Sequence, residues 1–324
     1  MTTLDTTLAA TPSSPLRFDG RVAVVTGAGR NLGRVYALAL AAAGAKVVVN
    51  DLGVAISDTD GAGAAPTANP AHAVVEEIRA AGGEAVADTH SIATEEGGAG
   101  LIDTALSAYG RIDIVVNNAG VVRSAAFAEL APELLDPVVD TQFKGVFHVT
   151  RPAWRAMLAQ GYGRVVNVSS GAALMGTPGH VAYGGAKTGV IGLTRQLAAE
   201  GAAHGIRVNV VAPYAKTRPD TGWGPIPASP ELAAWLAPEF LAPLVTLLAH
   251  EDCPVTGECF NAGAGFVSRV VVSTTRGLFD RAATPETLLR DWDDVMNPAD
   301  MAELSFGGGG TTHRMMEPFV PPAG

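Results

Sequence analysis

The chain has 324 residues, 48% of them hydrophobic, and a formal net charge of −10 at pH 7. Length and apolar content suffice for one large or two small cores, while the acidic balance disfavours a nucleic-acid surface and obliges any anionic cofactor to find local donors. Cys253 and Cys259 form neither a disulfide framework nor a metal-ligand spacing, so no metal is expected, and no apolar run approaches the ~18 residues of a membrane span.

Residues 1–17, rich in Thr, Ser, Ala and Pro, read as a disordered leader. The leader lacks a basic region followed by an apolar one and has no arginine before Arg17. The C-terminal Pro321-Pro322-Ala323-Gly324 is not a peroxisomal address, so the cytoplasm is the expected compartment.

Val22-Ala23-Val24-Val25 is an apolar run of the length of a buried parallel strand. It breaks at Thr26-Gly27-Ala28-Gly29-Arg30-Asn31-Leu32-Gly33, an Ala/Leu-rich helix follows over Arg34 to Ala43, and Lys46 to Asn50 is a second strand with Asp51 at its end. A nucleotide pyrophosphate needs this order: glycines let the backbone approach phosphates, the helix N-terminus offers N–H groups, and the acid accepts from a ribose hydroxyl. The last glycine falls one residue later than in G-x-G-x-x-G.

A long polar loop, Gly53 to Pro70, precedes a helix over Ala71 to Ala81 and a strand over Glu84 to Asp88. A helix over Gly98 to Tyr109, a strand over Ile112 to Val116 and a long helical stretch from Pro132 to Gln160 come next. Arg164 to Val168 is a strand, Val181 to His204 a long helix and Ile206 to Val211 a strand stopped by Pro213. Lys216 to Pro230 reads as a substrate loop, with a short helix near Glu231 to Leu236, a helix over Pro238 to His250 and a last strand over Gly257 to Asn261. In the tail, Thr284-Pro285-Glu286 starts a helix running to Val295, and the sequence from Gly307 onward reads as disordered. Strict alternation calls for an α/β fold: a doubly wound parallel sheet of about seven strands with helices on both faces.

Tyr183 and Lys187 lie four apart, so on a helix they share a face and can converge on one ligand. A phenol titrates near ~10, and an adjacent cation favours the phenolate. Ser170, just past the fifth strand, can reach the same place. Tyr, Lys and Ser beside a dinucleotide turn point to hydride transfer to or from a carbonyl, the phenol handling the proton and the serine donating to oxygen.

On these residues the chain resembles the short-chain dehydrogenase/reductase family over roughly residues 18–266. The turn from Thr26 to Gly33, Asn117-Asn118-Ala119-Gly120, Ser170 with Tyr183 and Lys187, and Arg207-Val208-Asn209 with Pro213 follow that family's motifs in order. The resemblance implies a Rossmann-type domain over 18–265, followed by a C-terminal extension over 266–324. It makes Tyr183 the acid/base, Lys187 the holder of the nicotinamide ribose and Ser170 the residue that orients the substrate oxygen. It places Gly27, Arg30, Leu32, Gly33, Asp51, Ser91, Ile92, Asn118, Ala119, Gly120, Pro213, Ala215 and Thr217, with Tyr183 and Lys187, around the cofactor. Asn31 stands where the family has glycine, Tyr214 where it has glycine after Pro213, and Gln142 where it has the helix asparagine of a proton relay, so Gln142 joins the catalytic candidates.

Within the family, the chain looks like the (3R)-hydroxyacyl-CoA dehydrogenase unit of the multifunctional β-oxidation enzyme. The carrying stretches are Pro15 to Arg21, Val48 to Gly53, Val74 to Arg79, Leu241 to Val245, Gly263-Ala264-Gly265 and Trp292. The implied substrate is an acyl-CoA, with Lys216, Arg218, Arg269 and Arg276 as candidates for a cationic rim. A hydroxysteroid dehydrogenase or other ketoreductase is a second reading, and a non-catalytic dinucleotide sensor or scaffold a third. Asp51 would repel a 2′-phosphate while Arg30 could pair with one; with the acid on the ribose in the usual geometry, NAD is expected over NADP. The apolar long helices imply a homodimer or homotetramer.

Overall fold

The computed structural model describes residues 15–53, 69–215, 234–299 and 301–304. An eight-stranded sheet runs through it in the order β3-β2-β1-β4-β5-β6-β7-β8, all parallel except the last pair. The strands are β1 (Val22–Thr26), β2 (Lys46–Asn50), β3 (Glu84–Asp88), β4 (Ile114–Asn117), β5 (Gly163–Val168), β6 (Ile206–Pro213), β7 (Cys259–Gly263) and β8 (Phe266–Val270).

Consecutive residues of a strand point to opposite faces, and here both faces are covered. Ala23 and Val25 of β1 pack with Tyr36 and Leu40 of α1 (Asn31–Ala42), Ile78 of α2 (Pro70–Ala80) and Leu248 further along the chain. Val22 and Val24 pack on the other face with Leu101 of α3 (Glu95–Tyr109) and, beyond it, Val149, Met157 and Ala198. The doubly wound α/β architecture expected from the alternation is therefore the observed one. Among the described residues no helix is long and apolar enough to cross a membrane.

Several elements differ from expectation. The stretch from Pro132 to Gln160 is α4 (Pro132–Val139), a π-helical turn (Asp140–Lys144) and α5 (Gly145–Gln160) rather than one regular helix. Apolar periodicity continues through the turn, so the sequence pattern conceals it. A short α6 (Gly171–Met175) follows β5 and is capped by Ser170, and α7 (Val181–Gly201) carries Tyr183 and Lys187. The helix expected over Pro238 to His250 opens as a 3-10 turn (Pro238–Leu241) and continues as α8 (Ala242–Ala249).

The sheet continues past Gly265 with β8, one strand more than expected. Its residues Phe266 and Val267 are exposed, so it lacks the buried apolar run that marks the inner strands. The hairpin is made by Ala264 and Gly265, both at positive φ, at 51° and 76°, the backbone a tight two-residue antiparallel turn demands. Further on, β9 (Ser273–Thr274) pairs with β10 (Ala302–Glu303), and between them α9 (Pro285–Arg290) and α10 (Trp292–Met296) break at Asp291, so the expected single helix to Val295 is two.

The chain is anchored from Arg17 onward. Phe18 is buried against the edge of His250, whose Nε2 donates to the Arg17 carbonyl at 3.0 Å while its Nδ1 accepts from the Asp252 amide at 3.1 Å. The expected substrate loop from Lys216, including Thr217, most of the loop after Asp51, and the segment from Gly307 lie outside the described residues.

Candidate active site

The strand order reverses between β1 and β4, and a cleft opens at their carboxyl ends, where ligands bind in such sheets. Gly27, at φ 60°, lies so close to β4 that an added Cβ would come within 2.7 Å of Ala119 Cα. A Cβ on Gly33 would collide with the Gly27 carbonyl and stand 2.6 Å from Asn118 Nδ2. Asn31 takes φ 47°, a left-handed conformation asparagine tolerates better than most residues, so the turn survives without its usual glycine.

Asn118 ties this turn to β4. Its Nδ2 donates to the Thr26 and Gly27 carbonyls at 2.9 and 3.1 Å, and Thr26 Oγ1 accepts from the Asn118 and Ala119 amides, each at 3.0 Å. The N-terminus of α1 has no side-chain cap and no acid in its first turn. Helix amides facing a cleft in that state suit an anion.

Asp51 lies at the end of β2. Its Oδ2 accepts from the Gly29 amide at 3.0 Å and its Oδ1 from the Gly53 amide at 2.8 Å. The carboxylate thus braces the glycine turn while lining the cleft, and each oxygen keeps a lone pair for a further donor. Among the described lining residues it is the single acid, against the cations Arg30 and Lys187. The balance of the described lining is therefore opposite in sign to that of the whole chain.

At the other end of the cleft, Lys187 is only 4% exposed and its Nζ donates to the Val168 carbonyl at 2.6 Å. The ammonium stands 6.0 Å from the centroid of the Tyr183 ring, as expected for partners one helical turn apart. Ser169 Oγ donates to the Lys187 carbonyl at 2.9 Å, fixing α7 to the end of β5. Gln142, in the π-turn, donates from Nε2 to the Val121 carbonyl at 2.7 Å. Its Oε1 is buried with no hydrogen-bond partner, beside Gly120, where an added Cβ would come within 2.6 Å of it. Such π-turns cluster at functional sites because they re-aim one side chain.

Of the residues singled out by sequence, Gly27, Arg30, Leu32, Gly33, Asp51, Ser91, Ile92, Asn118, Ala119, Gly120, Gln142, Tyr183, Lys187 and Pro213 all line this one cleft. Ser170 does not. Its neighbours Val168 and Ser169 do, while its own Oγ accepts from the Ala172 amide at 3.2 Å as the cap of α6. Ala215 is likewise absent from the lining. Arg269 is spent on Glu258, at 2.8 Å, and on Glu303, and neither it nor Arg276 lines the cleft. Lys216 and Arg218 lie outside the described residues.

Sequence reasoning missed His90 and His180. His90 lines the cleft and is held by Asp88, whose carboxylate takes His90 Nδ1 at 2.8 Å, the His90 amide at 3.0 Å, Asn50 Nδ2 at 2.7 Å and Thr104 Oγ1 at 2.8 Å. Burial alone would raise the Asp88 carboxyl, but these donors outweigh it and hold it below the usual carboxylate range. His180 sits directly before α7, buried, its ring edge-on to Tyr183 with centroids 6.4 Å apart. Its three-residue lead on Tyr183 was the available signal.

The short chain dehydrogenase family model matches residues 21–221. The chain is 43% identical over 287 residues to a Mus musculus protein named peroxisomal multifunctional enzyme type 2, covering 87% of this chain and 37% of that one, so it spans little more than a third of that relative's length. It is 44% identical to a Mycobacterium tuberculosis protein named as a short-chain type dehydrogenase/reductase, covering 85% of this chain and 93% of that one. A crystal structure of a short chain dehydrogenase from Mycobacterium avium superposes with a TM-score of 0.73 at 39% identity, covering 86% of this chain and 95% of that one. With a family match over most of the sheet and such a site at its carboxyl edge, the chain belongs to the short chain dehydrogenases, enzymes that act on CH–OH groups with a nicotinamide dinucleotide.

Proposed function

We propose that the chain is an NAD-dependent dehydrogenase of (3R)-hydroxyacyl thioesters, with acyl-CoA as the substrate form. The observation that carries the reading is the convergence of Tyr183, Lys187 and Gln142 on the same cleft as the glycine turn and Asp51. Likeness to the mouse multifunctional enzyme supports the thioester. The cleft fits a dinucleotide on three counts: the uncapped N-terminus of α1, the close approach of Gly27 and Gly33, and the orphaned Gln142 Oε1. Asp51 would accept from ribose hydroxyls and repel a 2′-phosphate, which favours NAD.

A bound nicotinamide supplies the hydride acceptor. Tyr183 Oη, as phenolate, would take the hydroxyl proton of the substrate while the alcohol carbon gives up hydride to the bound nicotinamide, leaving a ketone. The Lys187 ammonium, held by Val168, adds positive charge beside the phenol and hydrogen-bonding capacity toward a ribose. The Ser170 oxygen accepts from the Ala172 amide, which leaves its hydroxyl proton to be donated to the substrate oxygen.

A second reading, a ketoreductase or hydroxysteroid dehydrogenase, is favoured by Arg269, which is paired away from the cleft and gives no rim for CoA phosphates. Turnover of a panel of (3R)-hydroxyacyl-CoAs and hydroxysteroids with NAD and NADP at equal concentration separates the two. Loss of NADH production in Tyr183→Phe by roughly 10²–10⁴-fold, with NAD binding retained, is expected of either. Binding of NAD without turnover of any alcohol would leave only a sensor or scaffold. Exposed Phe147 on α5 and Val181 on α7 support a homodimer or homotetramer, which light scattering would weigh.

A further inference from the structure

His180 is the residue before α7, yet its side chain makes no capping hydrogen bond to that helix. It reaches instead across to the loop that follows β4. Its Nδ1 lies 3.2 Å from the Pro178 carbonyl, an acceptor only, so Nδ1 carries the proton. Nε2 is then the acceptor for the Ser124 hydroxyl, 3.3 Å away. Alongside, the Ala125 amide donates to the Gly179 carbonyl at 3.0 Å.

One side chain thus ties the loop to the start of the helix bearing Tyr183, against whose ring it packs edge-on. The same loop begins with cleft-lining Asn118 to Val121 and goes on to Phe127, an aromatic residue 76% exposed. Its N-terminal part faces the cleft, and its distal part carries the exposed Phe127. A serine, threonine or aspartate would serve a helix start better than histidine, so capping does not account for the residue.

We propose that His180 is a positioning residue: through Ser124 it pins the loop after β4 to α7 and sets the distance between the cleft-lining start of that loop and the phenol of Tyr183. Its effect falls on substrate binding rather than on the proton transfer. The kinetic consequence rests on the dehydrogenase reading above, whereas the tethering itself does not.

Three variants test it. His180→Asn keeps a donor toward Pro178 and loses the acceptor for Ser124, His180→Gln restores a group near the position of Nε2, and Ser124→Ala removes one exposed hydroxyl. Loss of one hydrogen bond predicts that His180→Asn and Ser124→Ala raise KM for a medium-chain (3R)-hydroxyacyl-CoA about fivefold, with kcat within about twofold and KM for NAD unchanged. His180→Gln should return KM toward wild type. Hydrogen exchange over residues 121–130, which needs no turnover, should quicken in the first two variants and recover in His180→Gln. If the histidine variants fold poorly, Ser124→Ala decides alone. Wild-type exchange in Ser124→Ala overturns the tether whatever the enzyme's substrate, and quickened exchange with an unchanged KM overturns its role in substrate binding.

Discussion

Lys187 Nζ donates to the carbonyl oxygen of Val168 at 2.6 Å, so an ammonium on α7 is held by the last residue of β5. A buried ammonium needs such an acceptor, since burial without one is costly. The bond holds the Lys187 ammonium at the cleft that Val168 also lines.

Replacing Lys187 by methionine should therefore do two separable things. The Val168 carbonyl loses its donor, which should lower stability by about 1–3 kcal/mol in chemical denaturation. Loss of the charge beside Tyr183 should lower kcat by roughly 10²–10⁴-fold. Lys187→Arg should not restore turnover, because a planar guanidinium cannot occupy the site of a compact ammonium. Steady-state kinetics that leave Lys187→Met within a few-fold of wild type would remove this lysine from the reaction.

Much of this arrangement is legible without coordinates. Val22 to Val25 and Lys46 to Asn50 are buried on both faces, and such strands announce themselves as apolar runs. The glycine turn, Asp51 and the Tyr183/Lys187 pair are local patterns whose chemistry depends on spacing alone. What escaped is non-local or exposed. Strand β8 buries too little to show a run, the π-turn at Gln142 leaves apolar periodicity intact, and the tie of His180 to Ser124 joins segments far apart in sequence. That the Ser170 hydroxyl also caps α6 is set by a rotamer and leaves no trace in sequence.

Asp88 makes stability depend on pH. Its folded-state pKa is depressed, so it contributes stability above the ordinary aspartate value near ~3.9 that is lost as pH falls through the folded value. Asp88→Asn preserves shape but removes the charge that His90, Asn50 and Thr104 donate to. At pH 7 it should cost about 2 kcal/mol in urea unfolding, and the gap to wild type should close below about pH 4. A gap that widens on acidification would contradict the assignment.

Ala264 is the alanine at positive φ in the β7–β8 hairpin. The left-handed region costs an L-residue roughly 1–2 kcal/mol, partly offset in a glycine variant by a freer unfolded chain. Ala264→Gly should therefore be stabilising by about 1 kcal/mol, a rise in Tm of roughly 2 °C for a domain of this size. A lower Tm in calorimetry would mean that the Ala264 methyl supplies packing worth more than the strain.

Asp51 has two tasks, and its replacement should expose both. Asp51→Ser removes the carboxylate that would face a 2′-phosphate, so KM for NADP should fall relative to that for NAD by about tenfold or more. It also removes the acceptor for the Gly29 and Gly53 amides, so the glycine turn should loosen and both cofactors should bind less tightly than preference alone requires. Hydrogen exchange at Gly29 separates the two effects, since a residue acting only on the ribose would leave that amide protected in the apo protein. Unchanged preference with a quickened Gly29 amide would make Asp51 a brace for the turn and shift cofactor discrimination to Arg30.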